Sequence, residues 1–382
     1  MLTIARLHGE SVSYYESTVA ADSGAALGPD GYYSEDGTKP ARGWVVAKTV
    51  ESFDRVCDRL GVENGARVRG ESVRDWFNKA LAPSGEKLGR APGARGVPGF
   101  DLTFCAPKSV SLVWGLTRDA EVRSVVNEAH ARAVSVALGY LNGHAGYTRR
   151  ASDADKKLMI IDRVEALSGV KYEHRTSRAG DPHVHSHVLL ANKQLCSDGK
   201  WRTVDSKGIY HEARAAGTIY QAVLRDELSR NLGVEWSGVV NGCAEIRGLD
   251  RRGLIESYST RMGEIEQWVD ENKLSRGAPA ARLGQKKTRQ TKDVSTPLAE
   301  LEDAWHSMKE ADEARGFMDS LRRTNVEVEP QALPSAREVL EKVTADRSTF
   351  TRADVVEAVA ELMPATGVGA AVGEVVERIT DE

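Results

Sequence analysis

The chain has 382 residues, 41% of them hydrophobic and 28% charged, with a net charge of −4, enough for two or three domains and a sizeable core. No apolar run approaches membrane-spanning length, and the opening MLTIARLHGESVSYYES lacks the basic-then-apolar layout of a secretion signal. Cys57, Cys105, Cys196 and Cys243 are scattered without a CxxC pair, which argues against a disulfide scaffold and for free thiols in a reducing, cytoplasmic setting.

In chain order, LTIARL reads as a strand and SVSYYESTVAADS as a short helix, followed by the turn-rich loop LGPDGYYSEDGTKPARG. Residues 50–80 are helical, including the amphipathic SVRDWFNKAL, and a Gly/Pro loop, APSGEKLGRAPGARGVPG, follows. FDLTF is a strand broken by Pro107, and a helix is expected from about Arg118 to Leu141. RVEALSGVKYEHRTSR alternates as a strand that bends at Ser168-Gly169, and PHVHSHVLLANKQLC is a second strand ending at the turn SDGK. DSKGIYHEARAAGTIYQAVLRDELSRNLG is one long helix with Gly233 as its C-cap. From Asp250 onward the chain is mainly helical. Strands and helices alternate without a regular βαβ rhythm, so the expected class is α+β with a central, largely antiparallel sheet flanked by helices. No GxxxxGK[ST] loop is present, which excludes nucleotide binding by a P-loop.

Charge is concentrated where the net value does not reveal it. Between Asn272 and Lys292 there are seven basic residues (Lys273, Arg276, Arg282, Lys286, Lys287, Arg289 and Lys292) and no acid. A flexible basic segment of this kind suits gripping phosphates, and charge alone equally fits a solvated linker.

Four of the nine histidines fall within HRTSRAGDPHVHSHVLL. On a strand alternate side chains share a face. His183, His185 and His187 then point one way, with Val184, Ser186 and Val188 on the other side. His174, a hairpin away, reaches the same spot from the neighbouring strand. Crowded cationic imidazoles repel, whereas a divalent cation turns the crowding into coordination. Three neutral imidazoles leave open positions on an ion, as a catalytic site requires. Geometry alone does not choose three ligands from the four.

Tyr14-Tyr15 and Tyr32-Tyr33 hold four of the ten tyrosines. Adjacent helical residues point about 100° apart, so only one of Tyr14-Tyr15 faces a given site. A phenol with a pKa near 10 is a poor nucleophile at pH 7 unless a nearby cation assists. Taken with the histidines and the basic segment, this suggests phosphoryl transfer from a nucleic-acid backbone.

The tyrosine pairs, FDLTFCAPKSVSLVWGL, EHRTSRAGDPHVHSHVLLANK and DGKWRTVD together resemble the MobF class of conjugative relaxases, within the HUH endonucleases. The resemblance covers roughly residues 1–300. It implies a catalytic palm (1–235), a helical thumb that clamps DNA and carries the basic loop 272–292 (236–300), and a helical extension (301–382). It also implies an enzyme that nicks one strand of single-stranded origin-of-transfer DNA bearing a hairpin, through a 5′-phosphotyrosine. The catalytic tyrosines fall on the pairs Tyr14, Tyr15 and Tyr32, Tyr33. Tyr14 is the nucleophile and Tyr32 acts in the second transesterification, although the pairs lie 18 residues apart, wider than in the best-known relatives. The metal ligands fall on His174, His185 and His187, and the motif acid on Asp101. The implied cofactor is a divalent metal, Mg²⁺ or Mn²⁺ in use, with Zn²⁺ or Ni²⁺ also suited to three histidines. Implied partners are relaxosome accessory proteins and a type IV secretion coupling protein, with no membrane insertion. The ending STFTRADVVEAVAELMP resembles the start of a helicase region, so a chain truncated from a longer one is expected. Lys108 and Ser109 are expected to contact DNA phosphates, Arg178 and Lys193 to flank the metal strand and touch DNA, and Arg282, Lys286, Lys287 and Arg289 to line the clamp. The rival expectations are a rolling-circle replication initiator, a histidine-metal hydrolase of small phosphates, and a non-catalytic single-strand-binding module with a structural metal.

Overall fold

The computed structural model describes residues 1–9, 11–12, 15, 40–152, 154–275, 277–288, 296–324, 331–345, 348–365 and 372–381. A five-stranded sheet in the order β1-β3-β7-β6-β2 forms its centre. The strands are β1 (Leu2–Arg6), β2 (Arg42–Ala47), β3 (Gly99–Cys105), β6 (Ala166–Thr176) and β7 (Pro182–Ala191). Every pairing among them is antiparallel. Two hairpins stand apart, β4 (Tyr147–Ala151) with β5 (Met159–Arg163), and β8 (Lys193–Leu195) with β9 (Trp201–Thr203).

Alternation along the strands splits the sheet between two cores. One face of β3 and β7 carries Leu102, Phe104, Val184 and Val188. This face packs on α4 (Ala120–Ala145) and α6 (Ala213–Leu232) through Val126, Ala133, Leu141, Ile219 and Leu224. The opposite face carries Val45, Val170, Tyr172 and Leu189. It packs on α1 (Val50–Leu60) and α2 (Gly70–Lys79) through Val56, Leu60, Trp76 and Phe77. Helix starts and stops follow local chemistry. Asp119 accepts the backbone N–H groups of Glu121 and Val122 to cap α4, and Gly233, at φ 67°, ends α6 in the left-handed region as expected.

The remaining helices are α3 (Lys108–Leu116), α5 (Ser206–His211), α7 (Arg252–Ser257), α8 (Thr260–Glu271), α9 (Ala278–Lys287), α10 (Leu298–Ser307), α11 (Lys309–Ser320), α12 (Ala336–Thr344), α13 (Arg352–Leu362) and α14 (Val372–Asp381). The helical reading beyond Asp250 therefore agrees with the fold, and Val356, Val359 and Val376 join the core beneath α6. All four cysteines are free. Among the described residues no helix is long and apolar enough to cross a membrane.

Three local expectations are corrected. Ser168-Gly169 does not bend β6: Gly169 pairs with Trp44 on one side and Leu190 on the other. A Cβ there would lie 1.8 Å from the Leu189 carbonyl oxygen, so the glycine serves close strand approach. The irregularity falls instead between His174 and Thr176. The long helix predicted after Asp205 is two, α5 and α6, joined at Glu212. The basic stretch 272–292 is not simply a loop, since α9 forms within it. Strand β2, helix α3 and the β4–β5 hairpin had no counterpart in the sequence reading.

Candidate metal centre

The first half of β7 and the end of β6 carry the polar part of an otherwise apolar sheet face. His174 and His185 stand directly opposite each other in the β6–β7 ladder, and His187 stands opposite Thr103 of β3. The three rings crowd together, with centroids 5.0 Å apart for His174–His185, 5.1 Å for His174–His187 and 5.2 Å for His185–His187. Each offers a ring nitrogen within 4.8 Å of the others. Three imidazole nitrogens converging from two strands fit a divalent cation and leave coordination positions open.

On two of the three rings the second nitrogen is already committed. His187 Nδ1 lies 2.9 and 3.0 Å from the two carboxylate oxygens of Asp101 and 3.1 Å from Thr103 Oγ1. His185 Nδ1 lies 2.9 Å from the His183 carbonyl oxygen. Anchoring Nδ1 fixes the ring and leaves Nε2 for the cation, the outer-shell arrangement metal-binding imidazoles need. Burial and the neighbouring imidazoles push the His185 pKa well below its ordinary value, and burial pushes His183 down to about 3. Both rings are thus held in the neutral state that metal binding demands. His183 shares the face, 4.5 Å from the His185 ring centroid, but lies outside the converging set.

Tyr15 is turned inward and is almost fully buried. Its hydroxyl donates to Asp101 Oδ2 at 2.6 Å, and its ring stacks on Tyr172 at 5.4 Å and leans on His187 at 5.1 Å. Tyr15 therefore stands at the edge of the histidine centre, its hydroxyl bound to Asp101 and 3.5 Å from His187 Nδ1. Tyr14, Tyr32 and Tyr33 lie outside the described residues.

The expected DNA contacts separate. Lys108 and Ser109 are engaged within the fold. Lys108 Nζ donates to the carbonyls of Pro182 and Tyr258, both at 2.9 Å. Ser109 is fully buried, and its Oγ accepts the Ile246 N–H at 2.7 Å. Arg178 lies in the turn entering β7 and is partly exposed. Lys193 belongs to the far end of the sheet, six residues past His187, or about 20 Å at 3.3 Å per residue. There it donates to Thr203 and lines a cavity of about 340 Å³ with Trp76, Arg90 and Pro98. Lys193 thus flanks β7 at the end away from the histidines. Lys287 is exposed at the end of α9. Arg289 and the side chains of Arg282 and Lys286 lie outside the described residues.

Sequence reasoning missed Thr103, Tyr172, Ser186 and His130. Thr103 was detectable, being two residues from Asp101 on the same strand face. His130 was not. It lies on α4 behind the sheet, fully buried, 2.8 Å from Ser186 Oγ and 2.8 Å from Tyr220 OH. Only the packing of α4 brings it to the reverse side of the histidine strand.

A family profile described as TrwC relaxase matches residues 8–312. Among characterised proteins the chain is similar to the multifunctional conjugation protein TraI of Escherichia coli, 31% identical over 248 residues, 61% of this chain and 13% of that protein. TraI of Escherichia coli strain K12 is 29% identical over 249 residues, with the same shares covered. The chain thus corresponds to 13% of the length of these relatives. Among solved structures it is similar to conjugative relaxase TrwC in complex with oriT DNA. The metal-bound form has a TM-score of 0.63 at 25% identity, covering 82% of this chain and 99% of that one. The metal-free form has a TM-score of 0.63 at 24% identity, covering 83% and 99%. A further complex of TrwC holds a 27-mer DNA comprising the recognition hairpin and the cleavage site, with a TM-score of 0.63 at 24% identity over 83% and 98%.

Proposed function

Because this chain belongs to the TrwC relaxase family, we propose that it nicks and transfers one strand of DNA at an origin of transfer, initiating conjugation. The resemblance to MobF relaxases and the α+β relaxase fold are borne out. The observation that carries the reading is the convergence of His174, His185 and His187, with His187 held by Asp101, on a chain of this family. The neighbours described as oriT complexes, one of them with a recognition hairpin, support single-stranded origin DNA with a hairpin as substrate.

In this reading His174, His185 and His187 hold a divalent cation, Mg²⁺ or Mn²⁺. A cation held there would supply Lewis-acid charge at the scissile phosphate. Tyr14 attacks the phosphorus: its oxygen forms the new P–O bond, the DNA 3′-oxygen leaves, and a 5′-phosphotyrosine results. The phenolic proton is released and the departing 3′-oxygen takes one up. One phosphodiester replaces another, so the step needs no ATP and is reversible. Asp101 holds His187 in orientation, with Tyr15 buttressing the carboxylate. Tyr32 serves the return transesterification. The palm spans 1–235, and the 236–300 segment grips the single strand through Arg282, Lys286, Lys287 and Arg289, while Arg178 and Lys193 flank the metal strand and touch DNA. Relaxosome accessory proteins, a type IV secretion coupling protein and a cytoplasmic setting complete the proposal.

The test is incubation with single-stranded origin oligonucleotides, with and without Mg²⁺, read on denaturing gels. A slower, covalently linked protein band is expected, and it disappears with Tyr14→Phe or EDTA. Strand cleavage that persists in Tyr14→Phe would overturn the assignment.

A further inference from the structure

The turn that feeds the histidine strand is knotted to the base of the helical pair that carries the basic segment. Asp181, immediately before β7, is buried and accepts from Ser177 Oγ at 3.1 Å and from Thr260 Oγ1, the first residue of α8, at 2.8 Å. The Arg261 guanidinium in turn holds the far end of α9, donating to the carbonyls of Thr288 at 2.6 Å and Gln285 at 3.0 Å. Lys108 bridges the same two bodies, with one bond to Pro182 at the head of β7 and one to Tyr258 just ahead of α8. Tyr258 is fully buried and donates to the Trp305 carbonyl, while Trp305 donates to the Gly180 carbonyl in the turn. Pro182 is followed directly by His183, and two residues lie between it and His185.

Buried polar groups are costly unless fully satisfied, and here the satisfied set is shared between two elements that face different ligands. A displacement of α8 and α9 therefore cannot be absorbed locally. It pulls on Asp181 and Pro182, and through them on the strand that presents His185 and His187.

We propose that Asp181 and Lys108 are positioning residues that couple occupancy of the α8–α9 clamp to cation affinity at the His174–His185–His187 centre. This rests on the proposed function, in which the clamp takes single-stranded DNA and the histidines take a divalent cation. Coupling between two sites is reciprocal in binding free energy, with tightening of 5- to 150-fold typical of such devices.

The experiment titrates Mn²⁺ into the whole chain by electron paramagnetic resonance, alone and saturated with an origin oligonucleotide that ends before the scissile phosphate, so that the DNA supplies no ligand to the ion. In the unaltered protein the oligonucleotide tightens Mn²⁺ binding by about 5- to 10-fold. Asp181→Ala and Lys108→Met reduce that effect to less than about 2-fold, while Asp181→Asn, which still accepts from Thr260, retains it. Thr260→Val removes one bond at the edge of the knot and gives the same loss of coupling even where Lys108→Met fails to fold. Undiminished coupling in Asp181→Ala and Thr260→Val, or no coupling in an unaltered protein that binds both ligands, overturns the proposal. An unaltered protein that binds neither Mn²⁺ nor the oligonucleotide overturns the functional reading, and this proposal with it.

Discussion

At the scale of single residues, Asp101 carries the most consequence for its size. It receives His187 Nδ1 and the Tyr15 hydroxyl on one carboxylate. Asp101→Asn removes the charge that orients His187, and the expected outcome is a 10- to 100-fold loss of Mn²⁺ affinity, read by titration of the purified protein. Tyr15→Phe deletes only a supporting hydrogen bond, so the covalent adduct still forms, at a rate within about tenfold of the unaltered protein. The two tyrosines of the pair are thereby distinguished in one gel. His130 sets a pH dependence. Its pKa is pushed down to about 3 by burial and by the charge of Arg175, against about 6.5 in an unfolded chain. As pH falls below 6.5 the unfolded state takes up the proton first. The stability contribution is therefore whole above 6.5 and is lost progressively toward pH 3, with about 2 kcal/mol gone at pH 5. Urea midpoints measured at pH 7.5 and 5 should diverge, and His130→Gln should narrow the divergence. His183, depressed by burial in the same range, leaves a remainder.

Elements decide how those residues meet. Three alternating histidines on β7 were enough to predict a shared face, and the β6–β7 register places His174 across from His185. The register depends on Gly169, where the backbones approach too closely for any side chain. Gly169→Ala should cost about 3 kcal/mol or more, since relief requires moving a central strand pair. The matching observation is loss of both the urea midpoint and Mn²⁺ binding. A variant with an unchanged midpoint would show that β6 yields more easily than its pairing suggests. Elements lacking a periodic signal escaped the sequence. Strand β2 is short and follows a turn-rich loop, and helix α3 begins right after Pro107, where the apolar run SVSLVWGL fits strand or helix equally. The break at Glu212 left no glycine or proline to betray it.

At the scale of the whole molecule, the C-terminal helices are bound into the protein rather than trailing from it. Helices α13 and α14 lie over α6, with Val356, Val359, Ala360 and Val376 buried there, and the fully buried Arg225 of α6 donates to the Ala360 carbonyl. Ending the chain at Arg323 would expose that apolar surface and leave Arg225 without this acceptor. The expected result is a protein that loses solubility or melts many degrees lower, measured by calorimetry beside the full chain. A truncated protein of unchanged melting temperature would mean that α6 is sufficiently covered without α12 to α14.

By itself the sequence determined the alternation on β7, the candidate ligands His174, His185 and His187, the left-handed stop at Gly233, and the family to which these motifs belong, because each is a property of local spacing or of residue type. Only tertiary structure decided that Tyr15 faces inward onto Asp101, that Lys108 serves two carbonyls, and that His130 stands behind Ser186. Those outcomes depend on which distant segments share a buried volume. Once water is excluded there, every polar group must find its partner among whatever the packing brings near.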